Sequence, residues 1–149
     1  MERRIGHSTM IKNIFGIAGT ALNAQTIRMN ATASNLANAG TVSPTEDEAY
    51  RAKRPVFRAL VEQSDLNQGF ESLGGVKVKE IVDDMTPLRE VYDPGNPEAN
   101  EDGYVFLSNV NEVTEMVEMI AASRSYQNNV EVVTTARQLM MRTLDITKA

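Results

Sequence analysis

Two long amphipathic segments, one at each end of the chain, constrain what this sequence can fold into more than any other feature. From about Ile11 to Asn38, Phe15, Leu22, Met29 and Leu36 recur at seven-residue intervals. Ile11, Ala18, Gln25 and Thr32 form the interleaved row, apolar at first and then polar. Alanines flank both rows, and they favour helix while letting a neighbouring helix approach closely. At 1.5 Å per residue such a helix is about 40 Å long. Asn38-Ala39-Gly40, followed by Ser43-Pro44, supplies a stop and then a breaker.

The second segment is stronger. Met116, Met119, Ser123, Tyr126, Val130, Val133, Arg137, Met140 and Leu144 follow a three-four alternation. The row Met119, Tyr126, Val133, Met140 is wholly apolar; the other is interrupted by Ser123 and Arg137. Asn109 with Glu112 fits a capping box, which places the helix start near Val110. No Pro or Gly follows through Ala149. The expected helix is roughly 50 Å long, well beyond the three-turn mean of globular proteins.

The intervening residues change period. Arg54 to Glu62, with Val56, Phe57, Leu60 and Val61, reads as a strand. Gly74-Gly75 leads into Val76-Lys77-Val78-Lys79, whose strict alternation marks a half-buried strand that Ile81-Val82 extends. Leu88 to Tyr92 and Tyr104 to Leu107 are further strands, separated by an acidic loop carrying Pro94, Gly95, Pro97 and Gly103. The expected architecture is α+β: residues 1–9 a disordered leader or extended start, 10–43 the N-terminal helix and turn, 44–108 a small β-rich insert, and 109–149 the C-terminal helix. Two heptad stripes in a chain of 149 residues are short of internal partners. They can close on each other in a monomeric hairpin, or pack between subunits as a coiled-coil-like bundle, the more economical reading.

Composition removes most chemistries. The absence of Cys excludes a disulfide scaffold, a thiolate nucleophile and any Cys-ligated metal centre. The single histidine, His7, sits in a short basic leader with no partner nearby. Net charge is −5, but unevenly spread. Residues 1–43 carry four basic groups against Glu2; residues 44–110 carry seven basic and fourteen acidic groups; residues 111–149 carry four and five. The acidic centre argues against nucleic acid, because no basic stripe is there to displace counterions from phosphate. The sequence also lacks the roughly 20 apolar residues of a membrane span. Arg3 and Arg4 before Ile11, Ile14, Phe15 and Ile17 imitate a signal peptide, but Lys12, Asn13 and Gly16 interrupt the run, so no cleaved signal is expected.

The remaining motifs are weak. Aligning Gly103 with the glycine of a calcium loop puts Asn109, not Glu, at the final ligand position. Glu46-Asp47-Glu48 and Asp83-Asp84 lie in polar stretches without the apolar pocket of a general acid or base. Gly16-Ile17-Ala18-Gly19 and Gly74-Gly75 match no phosphate-binding pattern. No catalytic residue, cofactor, metal or small-molecule substrate is expected. The Met-rich C-terminal stripe suits an adaptable helix interface, which leaves a soluble adaptor, binding one partner through that stripe, as the alternative to a self-assembling subunit.

Specific strings add a resemblance. Ala33-Ser34-Asn35-Leu36-Ala37-Asn38-Ala39 is similar to the N-terminal signature of rod, hook and hook-associated proteins of the bacterial flagellum. Glu115 to Val132, containing Ser123, Arg124, Tyr126 and Asn129, is similar to their C-terminal signature. Within that group Tyr50-Arg51-Ala52-Lys53, Gly74 to Val78, Tyr92-Asp93-Pro94-Gly95-Asn96-Pro97 and Asp102-Gly103-Tyr104-Val105 resemble the proximal-rod family of the FlgC type, over about residues 10–147. Many axial proteins continue the first signature with Thr-Pro-Gly-Tyr, whereas this chain has Gly40-Thr41-Val42-Ser43-Pro44.

The resemblance implies a structural subunit of the proximal rod of the basal body, which crosses the periplasm, transmits torque from motor to hook and is needed for motility. It implies copies of itself, other proximal and distal rod proteins and the base of the rod at the membrane-embedded ring as partners. It also implies passage through the flagellar type III export apparatus without a cleaved signal. The residues expected to pack between subunits are Phe15, Leu22, Met29, Leu36, Met116, Met119, Tyr126, Val130, Val133, Met140 and Leu144. Ser34, Asn35, Leu36, Ala37, Asn38, Ser123, Arg124, Tyr126 and Asn129 carry the family signature.

Overall fold

A computed structural model describes residues 3–60 and 74–148, with side chains placed from Asn13 to Leu60 and from Gly74 to Ile146. Helix α1 spans Arg3–Asn38 and helix α2 spans Glu112–Lys148. Between them lie β1 (Val42–Ser43), β2 (Lys53–Ala59), β3 (Val76–Asp83), β4 (Arg89–Tyr92) and β5 (Tyr104–Leu107). This is the expected α+β arrangement of two long helices around a β-rich insert. The helical path starts at Arg3, upstream of Ile11, where a non-helical leader is expected from sequence. Residues 3–10 contain no Pro and one Gly, Gly6, so nothing in them stops a helix from propagating backward. The outer end of the strand expected over 54–62 falls at 61–62, outside the described residues.

The strands form two sheets. β1, β5 and β4 make one, in the order β1-β5-β4 and antiparallel throughout. β2 and β3 make a separate two-stranded sheet. Two strands leave every strand on an edge, which is where Pro55 is tolerated. The two-residue β1 is absent from the sequence reading, being too short to show a period. It occupies Val42-Ser43, pairing with Leu107 and Phe106, in the turn where the flagellar signature departs from its usual form. Tyr92 faces Tyr104 across the β4–β5 ladder, with ring centroids 5.1 Å apart and edge to face. Gly103, at φ +82°, is required beside them. A Cβ there would meet Tyr92 at 2.9 Å.

The helix termini satisfy their backbone groups locally. Asn111 caps α2: its Oδ1 accepts the Thr114 N–H at 2.9 Å, and its carbonyl accepts the Glu115 N–H at 3.0 Å. This corrects the capping box placed on Asn109 and Glu112. Asn109 is committed elsewhere, accepting the Ala52 N–H and donating to the carbonyl oxygens of Asp84 and Thr86. Glu112 and Glu115 in the first turn complement the positive end of the helix dipole. At the end of α1 the Asn38 amide donates to the Ser34 carbonyl, and Ser108 Oγ donates to that of Ala39 at 2.7 Å.

The chain divides into two compact units. One comprises Ile27–Val56 and Glu80–Ala121, with five basic and fourteen acidic side chains, hence −9; this is the acidic unit. The other comprises Met1–Thr26, Phe57–Lys79 and Ala122–Ala149, with ten basic and six acidic, hence +4; this is the basic unit. Buried apolar residues are mostly alanines: Ala31, Ala49, Ala52 and Val105 in the acidic unit, and Ala18, Ala24, Ala122 and Ala136 in the basic one. Small side chains in these seams permit close backbone approach but bury little apolar area.

Candidate functional site

The helical faces and a buried polar node are where this structure concentrates information. On α1 the heptad residues Phe15, Leu22, Met29 and Leu36 are half-buried, while Ala18, Ala24, Ala31, Thr32 and Asn35 are fully buried. The deepest positions therefore lie between the large apolar ones, at Ala18 and Thr32 of the interleaved row and at Ala24, Ala31 and Asn35 outside it. The same displacement holds on α2. Glu115, Ala122 and Ala136 are buried and Asn129 half-buried, a seven-residue row the sequence reading passed over. Met119, Tyr126, Val133 and Met140 flank it and are half-buried; Met116, Val130 and Leu144 are exposed. Val113, Val117, Ile120, Val132, Leu139, Met141 and Ile146 are exposed as well. One chain thus leaves most of the apolar surface of α2 open to solvent.

The polar node lies in the acidic unit. Asn35 and Glu115 are both 0% exposed and are the largest fully buried side chains among the described residues. Asn35 Nδ2 donates to Glu115 Oε2 at 3.0 Å and to the Lys53 carbonyl at 3.0 Å. Its Oδ1 accepts the Lys53 N–H at 2.7 Å and the Tyr50 hydroxyl at 3.0 Å. One side chain on α1 thereby ties together α2, the first residue of β2 and the segment before it. Arg54 Nη1 completes the second carboxylate oxygen of Glu115 at 2.6 Å, and Arg54 Nε reaches Asp84 Oδ2 at 3.6 Å. Burying a carboxylate is costly unless it is paired and hydrogen-bonded, and here both oxygens are engaged. Ser34 Oγ lies 2.9 Å from the Tyr50 hydroxyl, and Arg28, two turns before Asn35 on α1, pairs with Glu118, one turn after Glu115 on α2.

The carboxylate pairs singled out from sequence are employed in structure. Asp83 pairs with Lys53 Nζ at 2.5 Å, and Glu46 with Arg51 at 2.8 Å. Hydrogen bonds from the Thr86 backbone and hydroxyl hold the Asp84 carboxyl below its usual range, outweighing the opposing effect of burial, and the Arg54 charge adds a lesser lowering. Among the described residues no cluster of His, Asp or Glu is arranged to hold a metal ion. No described helix is long and apolar enough to cross a membrane.

Of the signature residues, Ser34, Asn35 and Asn38 make the contacts just described. Leu36 is half-buried and Ala37 exposed. Asn129 donates to the Ser125 carbonyl at 2.8 Å, Ser123 and Tyr126 are half-buried, and Arg124 is exposed. Glu115 and Tyr50 lie in the strings that carry the resemblance and Arg54 opens a predicted strand, but none of the three is among the packing or signature residues singled out from sequence. The available signal was the heptad row 115, 122, 129, 136, which places a glutamate in register with two alanines.

Comparison with known proteins agrees with this architecture end to end. Residues 15–45 match the family model described as flagella basal body rod protein. Residues 101–146 match the one described as flagellar basal body rod FlgEFG protein C-terminal. The flagellar basal-body rod proteins FlgC of Yersinia enterocolitica and Salmonella typhimurium are each 48% identical over 134 residues, covering 90% of this chain and 96% of theirs. That of Buchnera aphidicola from Acyrthosiphon pisum is 45% identical over 138 residues, covering 91% and 97%. With such identity over nearly the whole of both chains, this chain belongs to the FlgC family of flagellar basal-body rod proteins.

Proposed function

We propose that this chain is a structural subunit of the proximal rod of the flagellar basal body, assembling with other rod proteins to carry torque from motor to hook. The observation that carries the reading is the 48% identity to basal-body rod proteins across 90% of the chain, with no large insertion or deletion of a domain on either side. The geometry supports it: apolar side chains such as Val113, Val117, Ile120 and Leu139 stand exposed on α2, where a lone folded chain gains nothing from them. A heterologous contact that does not close on itself builds a helical assembly. Close-packed helix interfaces would resist shear within it. In this reading residues 10–43 and 109–149 form an inner helical layer and 44–108 an outer insert. Phe15, Leu22, Met29, Leu36, Met116, Met119, Tyr126, Val130, Val133, Met140 and Leu144 then pack between subunits.

The subunit reaches the rod, within the periplasm, through the flagellar type III export apparatus and docks at the base of the rod near the membrane-embedded ring. The role is mechanical, in keeping with relatives that are rod proteins and not enzymes. Deleting the gene in its own organism is expected to abolish swimming and to leave basal bodies without a complete rod. Complementation should restore both and place the protein in purified basal bodies. A deletion strain that still swims would contradict the reading.

A further inference from the structure

The Gly74-Gly75 pair matches no phosphate-binding pattern, and the structure gives it another use. It precedes β3 where the two-stranded ribbon of β2 and β3 meets α1 in the basic unit. The Leu60 N–H donates to the Gly75 carbonyl at 2.8 Å, which carries the pairing of the ribbon to this point. The next amide turns to the helix: the Val76 N–H donates to Thr20 Oγ1 at 3.1 Å. That hydroxyl donates its own proton to the Ile17 carbonyl at 2.8 Å, so its lone pairs are left to face Val76. A Cβ on Gly75 would meet Thr20 Oγ1 at 2.9 Å, and one on Gly74 would touch Ile17 Cδ1 at 3.5 Å. Among the described residues only Gly103 has a positive φ, so backbone conformation does not demand glycine at position 75. The close approach of α1 does.

We infer that Thr20 is a positioning residue that clamps the β2–β3 ribbon onto α1, and that position 75 is glycine so that the clamp can close. The clamp is stiff for two reasons. A β-branched side chain has few χ1 choices in a helix, and the bond to Ile17 holds the one in use, so Thr20 cannot turn aside for a Cβ. The acidic unit repeats the device with a different side chain. There Asn35 of α1 accepts the Lys53 N–H at 2.7 Å and donates to the Lys53 carbonyl at 3.0 Å, at the first residue of β2. In each unit α1 thus grips the ribbon by its backbone, which fixes the strand whatever side chains it carries. Losing the grip at Thr20 leaves a half-buried amide without its acceptor, which is the costly way to lose a hydrogen bond. The inference rests on the proposed role as a rod subunit and deepens it. In that reading α1 belongs to the inner helical layer and the ribbon to the outer insert, so the clamp is where the inner layer holds the insert under load.

The test begins on the purified full chain, with amide hydrogen exchange read at Val76. Thr20→Val, which keeps the shape and removes the acceptor, should speed that exchange about tenfold, and Thr20→Ser, which keeps the hydroxyl, should stay within about twofold of the parent. Gly75→Ala should speed it as Thr20→Val does, yet add nothing in a Thr20→Ala background, where the obstructing hydroxyl is gone. An unchanged Val76 amide in Thr20→Val, or an equal effect of Gly75→Ala in both backgrounds, would overturn the clamp. The second arm places the same variants in cells lacking the native gene. Thr20→Val should enter basal bodies at the parent's level and swim normally in dilute medium, but fall to less than about half the parent's speed in viscous medium, with Thr20→Ser restoring it. Equal speeds of Thr20→Val and parent at every viscosity would overturn the role under load, as would exclusion of Thr20→Val from basal bodies. Absence of the unmodified protein from basal bodies is a separate result: it would overturn the rod reading itself and leave the exchange result on the purified chain standing.

Discussion

The same two helices are held in two different ways along their lengths. In the acidic unit, residues 27–38 of α1 and 112–121 of α2 meet around charged and amide groups: Asn35, Glu115 and Arg54, with Arg28 and Glu118 beyond them. In the basic unit, Ala18, Ala24, Ala122 and Ala136 are buried, while Ile14, Ile17, Val132 and Leu139 keep much of their surface. Hydrogen bonds are directional and fix one register, whereas an alanine seam tolerates sliding and buries little area. The difference teaches a division of labour. The polar node specifies how the chain folds on itself, and in the proposed rod the exposed apolar faces of the helices are the ones left for neighbours.

The largest effect expected from breaking this division is on assembly. Val133 is half-buried on the basic unit's part of α2. Val133→Asp places a carboxylate in a helix seam, where an unpaired charge costs several kcal/mol, on the order of 3–5. The variant should be made and exported, yet be absent from isolated basal bodies, and cells should not swim. Glu101→Gln, in the exposed loop before Gly103, should swim like the parent in the same deletion background. If Val133→Asp swims equally well, this face does not hold the subunit in the rod.

Breaking the node should instead act on the isolated chain. Arg54→Leu leaves Glu115 buried with Asn35 as its remaining hydrogen-bond partner. Removing one partner of a buried pair costs about 3–5 kcal/mol. Because Arg54 is itself partly exposed, the lower end, about 3 kcal/mol, is expected in urea unfolding of the purified protein. Glu115→Gln should cost less, since an amide oxygen can still accept from Asn35. A loss below about 0.5 kcal/mol for Arg54→Leu would show that the node is a surface ornament.

The smallest effect concerns pH. The Asp84 carboxyl titrates below its ordinary value in the folded chain. Its contribution is therefore fully present above the unfolded-state value near 4, and is lost as pH falls through the lower folded value. Asp84→Asn should flatten the acid limb of stability against pH below about 4 and leave the curve near neutrality almost parallel to the parent's. An unchanged acid limb would show that the Thr86 hydrogen bonds are not maintained in solution.

Much of the fold is legible in the sequence because long helices advertise their period. The strands over 76–83, 89–92 and 104–107 show through alternation and through their glycine and proline borders. What stays hidden is which row lies deepest. Large apolar residues at heptad spacing attract attention, but alanines let the backbones close, so the seam forms on Ala18, Ala31, Ala122 and Ala136. Glu115 is hidden for the complementary reason. A glutamate in a first helical turn reads as an exposed partner of the helix dipole, and only the tertiary placement of Asn35 and Arg54 makes its burial affordable. Asn109 reads as a cap for the same local reason, and is diverted because the backbone flanking β2 and β3, at Ala52 and Asp84, needs its amide.

Amide hydrogen exchange on the purified, unassembled protein tests the division between node and faces most directly. Slow exchange is expected over residues 27–38 and 112–121, where hydrogen bonds and ion pairs fix the helices. Exchange at least tenfold faster is expected over 13–26 and 122–146, because an alanine seam offsets little of the ordering entropy of those residues. In assembled rods both spans should become equally protected. Uniform strong protection of both helices in the unassembled chain would contradict the account.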